Sequence, residues 1–379
     1  MEKIREKERG SAARQWMELV EDVSLSDEEL KRRLQDIHRG NLPSFAEIVV
    51  NPGCMNQCKH CIYPEDYACH NKALSVETWC RIIDDMYTRL EFRHFIFGGR
   101  GMNQDIIEVV KYVNSKYSDV KVGMIAEAFG LEMYWDEIKG LKIDHLDISV
   151  DGLKKGHDLQ RNREGAFDLT VKMMKKIMEG PMKNRNFKKV AILSTLTSLN
   201  RSEILPMFKF FNSEFKVRNF FIAPVTVINN RPDASLKLSK RQVAQFIREA
   251  KDFFGELNDA YMAFNIYEDD LGFWFRDNAK DLYEKLKADE DYFEFKEERG
   301  NNEFHLFWYP AAINSCREFI MNTNGDVFTG YVQAYGKIPE ANIFGNVMRM
   351  EGTKEEFFER IVEAPAFDFF VGQVKDLQG

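Results

Sequence analysis

Two rhythms of apolar residues alternate between positions 45 and 223. Continuous, β-rich runs occur at 45–50 (FAEIVV), 93–97 (RHFIF), 121–125 (KVGMI), 145–150 (HLDISV), 189–196 (KVAILSTL) and 218–223 (RNFFIA). Between them, apolar residues recur at helical spacing near 75–90, 104–117, 131–139, 164–180 and 201–213. Strands alternating with helices predict βαβ units on a parallel sheet, because parallel neighbours need a crossover that a helix supplies. Six such strands fit an α/β fold, a partial (β/α)6 TIM-type barrel. The alternative is a doubly wound open sheet.

The flanks follow other patterns. Residues 11–40 read as two helices, the second opened by Ser26 with Glu29 as a capping box and closed at Gly40. Asn200 followed by Glu203 reads as the cap of the helix near 201–213. After residue 235 the alternation stops. Ser239 with Gln242 caps a helix to residue 255, and 256–315 is acidic and aromatic without a readable period. Residues 317–331 predict a hairpin around Asn324-Gly325, and a last helix lies near 353–362. This predicts an N-terminal helical segment (1–44), a core domain (45–235) and a small α+β C-terminal extension (236–379).

The 379 residues suffice for one large domain, or a large one and a small one. The net charge of −8 provides no global basic field for nucleic acid or anionic lipid. The local basic run at Lys172, Lys175, Lys176 and Lys183 to Lys189 reads as a solvated face. No apolar stretch reaches the ~20 residues that span a membrane. The charged start MEKIREKERG lacks the apolar core of a signal peptide. A cytoplasmic chain follows as the expectation, with its six cysteines reduced.

Three of those cysteines cluster in NPGCMNQCKHCIYP, as Cys54, Cys58 and Cys61, directly after the first strand. Ligands bind at that end of the strands in parallel α/β folds. Three thiolates so close in sequence converge readily on one metal centre. A four-iron cluster usually takes four, so three leave one iron open. A zinc site completed by His60 or His70 is a second reading, and three unconnected thiols a third.

The cysteine spacing resembles that of the radical S-adenosylmethionine (SAM) enzymes, C-x3-C-x-Φ-C, with His60 in the place of the aromatic. The resemblance implies one [4Fe–4S] cluster on Cys54, Cys58 and Cys61 whose open iron is chelated by SAM. One electron then splits SAM to methionine and a 5′-deoxyadenosyl radical that abstracts hydrogen from a substrate. It also implies an electron donor such as flavodoxin or ferredoxin. Further stretches match in family order. Gly98, Gly99 and Arg100 stand where the family carries Gly-Gly-Glu near the methionine amino group; Arg100 departs from the acidic residue. Glu127 falls at a ribose-contact position. DISVDGLKKGHDLQRNREGAF places Ser149 and Asp151 near the adenosine and Arg161 near the SAM carboxylate, with His157 and Asp158 in structural roles. Ser194 is a further SAM contact, and IAPV (222–225) reaches the adenine.

CREFIMNTNGDVFTGY, followed by Gly345-Asn346, resembles the start of a SPASM or twitch extension. Its expected second cysteine is Gly330, and Cys69, Cys80 and Cys316 are scattered, so no auxiliary cluster is expected. Cys316 is left as a pocket residue, in a catalytic role as hydrogen-atom donor, or as a buried thiol. Without an auxiliary electron acceptor, epimerisation, rearrangement, decarboxylation or dehydrogenation are the outcomes to consider. The 44 N-terminal residues are short for the winged-helix peptide-binding domain of many peptide-modifying relatives. A small substrate is expected, such as a sugar, nucleoside or aminoglycoside-like intermediate, with a ribosomally made peptide as the alternative. The remaining alternative is a zinc or iron–sulfur binding protein without catalysis.

Overall fold

A computed structural model describes residues 11–43, 45–51, 53–62, 73–98, 101–227, 232–314, 318–329, 344–348 and 351–378. The apolar runs form β1 (Phe45–Ile48), β2 (His94–Phe97), β3 (Lys121–Ala126), β4 (His145–Ser149), β5 (Val190–Leu196) and β6 (Asn219–Pro224). Each pairs in parallel with the next, with helices in the crossovers. This is the α/β, partial-barrel architecture that the alternation predicts.

The sheet does not end at β6. β7 (Tyr261–Ile266) adds in parallel, followed by β10 (Asn302–Trp308) and the antiparallel β9 (Tyr292–Arg299) and β8 (Lys287–Asp289). At the other edge, β11 (Glu318–Met321) pairs in parallel with β1 and carries the antiparallel β12 (Asp326–Thr329) and β13 (Gly345–Asn346). Among the described residues, one 13-stranded sheet results, in the order β13-β12-β11-β1-β2-β3-β4-β5-β6-β7-β10-β9-β8. The Asn324-Gly325 hairpin joins β11 to β12, with Gly325 at φ 84°, a conformation glycine adopts without strain.

Local chemistry sets the helix starts. Ser239 and Gln242 form a reciprocal capping box, as do Thr353 and Glu356. Three expectations need correction. Ser26 caps its helix, but Glu29 turns to Arg32 and Arg33 instead of completing the box. The segment near 131–139 is two short helices, Ala128–Met133 and Trp135–Ile138. Asn200 does not cap a helix: its buried side chain accepts from the Thr197 N–H and donates to the Thr195 carbonyl, and the helix starts at Ile204.

The N-terminal helices are built into the C-terminal part. Trp16 packs edge-on against Trp308 at 5.5 Å between ring centroids, with Phe273 and Phe293 beside them. Arg39 pairs with Glu359, Lys31 with Asp368, and His38 bonds the Ala312 carbonyl. No helix among the described residues is long and apolar enough to cross a membrane.

Trp308 also lies flush on the helix Asp269–Asn278, where a Cβ added at Gly272 would stand 2.2 Å from its Cε2. Gly272→Ala is therefore expected to destabilise the fold by about 1–3 kcal/mol through overpacking, read as a lower urea midpoint at unchanged slope.

Candidate functional site

The loop after β1 is fixed from three sides. The Asn51 side-chain amide donates to the Gly101 carbonyl at 2.6 Å, and its oxygen accepts from the Gly53 N–H. This joins the loops that follow β1 and β2. Gly101 packs so tightly on Cys54 that an added Cβ would stand 3.1 Å from its Sγ. The Lys59 N–H donates to the Gln160 carbonyl, tying the loop to the helix Lys154–Arg161. Cys54 is exposed, and Cys58 and Cys61 are half-buried.

That helix carries the charge of the site. Arg161 lies 2.7 Å from Asp151 and directs Nη1 at the Cys58 sulfur at 3.7 Å. Asp151 is fully buried and accepts from the Thr195 N–H of β5, while its own N–H donates to His157 Nδ1. Burial opposes both charges. The Arg161 guanidinium nevertheless holds the Asp151 carboxyl below the usual carboxylate range, and Asp151 with Cys58 raises Arg161 above its ordinary value. Burial pushes the Cys58 thiol up to about 11 and His60 down to about 4, so His60 is neutral near pH 7. His60 Nδ1 is buried and has no hydrogen-bond partner among the described residues.

These residues open onto a cavity of about 570 Å³ ringed by the carboxyl ends of the strands. Cys54, Cys58, His60, Cys61, Glu127, Ser149, Arg161 and Ser194 all line it. Two of them are engaged elsewhere as well. Both carboxylate oxygens of Glu127 accept from the Phe129 and Gly130 N–H groups, capping a helix, and the Ser194 hydroxyl donates to the Val150 carbonyl. Asp151 sits behind the wall and acts through Arg161. His157 and Asp158 serve the fold, Asp158 by accepting from the Gly165 and Phe167 N–H groups. Ile222 to Val225 form part of the wall. Gly98 follows β2 and packs on Ile125, where an added Cβ would stand 3.0 Å from the isoleucine side chain. Gly99, Arg100, His70 and Cys316 lie outside the described residues.

The cavity also has a polar interior that belongs to none of the sequence motifs: Glu47 of β1, Asp147 of β4, Asn265 of β7, Glu318 of β11, Tyr267 and Tyr309. The signal was present in the sequence. In FAEIVV, HLDISV and YMAFNI a polar residue interrupts a buried strand, with Asp147 and Ser149 at the period of two that puts both on one face.

Residues 48–211 match the family model of the Radical SAM superfamily. That segment of the chain is a Radical SAM domain. Solved structures of similar fold include SuiB from Streptococcus suis bound to S-adenosylmethionine (TM-score 0.55, 15% identity, 79% of this chain and 64% of that one). SuiB bound to precursor peptide SuiA gives TM-score 0.60 at 13% identity over 90% of this chain and 70% of that one. anSMEcpe with bound AdoMet gives TM-score 0.53 at 15% identity over 83% and 81%. This chain thus covers less than two thirds of the SAM-bound SuiB chain. No curated relative matches in sequence.

The superfamily's cofactors are a [4Fe–4S] cluster and SAM, and the residues present fit them. Among the described residues, no three His, Cys, Asp or Glu side chains are already drawn together around a point that could hold a metal. The three thiols nevertheless border one cavity. Gly101 leaves space beside Cys54 that a Cβ would fill, and Arg161 supplies a fixed positive charge beside Cys58.

Asp151→Asn should cost about 3–5 kcal/mol, because it strands a buried guanidinium. Asp151→Asn combined with Arg161→Met should cost less than the single change, as urea denaturation of the three proteins would read. A carboxylate with a depressed folded pKa stabilises above its unfolded pKa and loses that contribution as pH falls through the folded value. The wild-type advantage over Asp151→Asn is therefore full at neutral pH and shrinks only in acid.

Proposed function

We propose that the protein is a radical SAM enzyme that cleaves SAM reductively and abstracts hydrogen from a small molecule held in the barrel cavity. The observation that carries this reading is one cavity bordered by Cys54, Cys58, Cys61 and Arg161 at the carboxyl ends of parallel strands, within the matched 48–211 segment. Cys54, Cys58 and Cys61 would hold a [4Fe–4S] cluster, which would supply the electron for reductive cleavage of SAM to methionine and a 5′-deoxyadenosyl radical. Arg161, oriented by Asp151, offers its remaining N–H groups to the SAM carboxylate. Glu127, Ser149, Ser194, the Gly98-Gly99-Arg100 segment and the 222–225 wall are the surfaces for methionine, ribose and adenine. His60 stays uncharged beside the thiolates. The segment 236–379 serves as an extension without an auxiliary cluster, and it contributes Asn265, Tyr267, Tyr309 and Glu318 to the substrate side. A cytoplasmic flavodoxin- or ferredoxin-type reductant completes the system.

A cavity of this size lies within the ~300–1,000 Å³ range of small-molecule sites, which supports a small substrate. The second reading is a peptide that inserts one side chain, as the fold likeness to SuiB bound to its precursor peptide suggests. Titration with candidate precursor peptides separates the two.

Anaerobic reconstitution with iron and sulfide, dithionite reduction and addition of SAM should yield 5′-deoxyadenosine, with about four irons per chain. The variant with Cys54, Cys58 and Cys61 changed to Ala should lose iron and product together. SAM cleavage that survives in that variant would refute the assignment.

A further inference from the structure

Asp147 occupies an unusual position. It lies on β4 between Ile125 of β3 and Ala191 of β5, two residues deeper than Ser149, or roughly 7 Å further from the cysteine loop at strand spacing. Its neighbours on the cavity wall, Ile96, Ile125, Leu193 and Phe221, are apolar. The carboxyl group faces the cavity and, among the described residues, no donor or cation pairs with it. Burial alone pushes it up to about 7, with no compensating partner. By contrast, Asp151 is neutralised by Arg161, and Glu127 caps a helix. Asp147 is thus a cavity carboxyl whose partner the described chain does not provide.

The surroundings specify the partner's charge. Among the described lining residues Arg161 is the sole Lys or Arg, and it is already matched by Asp151. An anionic ligand would meet repulsion from an ionised Asp147. A neutral ligand would leave Asp147 protonated, or ionised without a counter-charge. A cation supplies that counter-charge and draws the carboxyl into its ionised form. Tyr267 and Tyr309, just past the carboxyl ends of β7 and β10, are stacked at 5.3 Å between centroids and also line the cavity, a surface suited to the alkyl or cationic portion of such a ligand.

We propose that Asp147 anchors the substrate and that the substrate presents a protonated amine to it. The proposal rests on the reading of this cavity as the substrate site and adds the chemical class of what enters it. Asp147 is separate from the SAM-facing set, since Ser149, Glu127 and Arg161 lie nearer the cysteine loop.

The test uses the reconstituted holoenzyme with SAM present, and two probes of matched length, n-hexylamine and n-hexanol. Dissociation constants from ligand-observed NMR are compared in wild type and Asp147→Asn, with SAM affinity measured in both. The wild type should bind the amine at least ~10-fold more tightly than the alcohol, as expected for a charge-assisted hydrogen bond. Asp147→Asn should bring that ratio to about one and leave SAM affinity unchanged. Equal binding of the two probes by wild type overturns the proposal, and needs no variant to be read. An amine preference that persists in Asp147→Asn also overturns it. So does an equal loss of SAM affinity, which would give the carboxyl to the amino group of SAM. Amine binding through Asp147 without 5′-deoxyadenosine formation would count against the SAM reading while supporting the anchor.

Discussion

Arg161 is a cation held behind the cysteine loop, with Asp151 as its counter-ion at 2.7 Å. Either charge alone would be costly at this depth, and the pair persists because each residue has further partners. Asp151 is held by the Thr195 N–H of β5 and, through its own N–H, by His157. Arg161 reaches Cys58, and the neighbouring Gln160 carbonyl holds the Lys59 N–H. One ion pair therefore connects β4, β5, the helix Lys154–Arg161 and the cysteine loop. Its consequence for function is a fixed positive charge beside the thiols, in place before any ligand arrives. Electrostatic preorganisation of that kind needs no rearrangement during reaction.

The rest of the fold supplies a wall around this point. Because β11, β1 to β7 and β10 all run parallel, their carboxyl ends face the same way and their loops meet over one cavity. Packing of Trp16 against Trp308, Phe273 and Phe293 fastens the N-terminal helices to the strands that finish the sheet. The interior is graded. Thiols and Arg161 line it beside the cysteine loop, and Asp147, Glu47 and Glu318 with the Tyr267–Tyr309 pair line the rest of its polar wall.

The parts legible in the sequence are those set by local pattern. The runs that became β1 to β6 are short, apolar and separated by helical periods, and the cysteine triplet is contiguous. β7 and β10 were missed because both are buried on nearly every side, so they lack the alternation that marks a half-exposed strand. Asn200 resembled a cap by type and spacing, yet its side chain turns inward to Thr195 and Thr197. The roles of Glu127 and Asp151 were beyond a motif reading. One caps a helix and the other sits behind Arg161, and both depend on the tertiary path of the chain. Asp147 was visible only as a polar interruption of an apolar strand, which by itself does not reveal that no described residue pairs with it.

The central claim is that the cysteine loop and Arg161 together form a site where SAM meets an iron–sulfur cluster. Electron paramagnetic resonance of the reduced, reconstituted protein, recorded with and without SAM, tests it most directly. The account predicts a single [4Fe–4S]⁺ signal of about one spin per chain, altered when SAM is added. A reduced cluster whose signal is unmoved by SAM, or the absence of an iron–sulfur signal after full reconstitution, would contradict it.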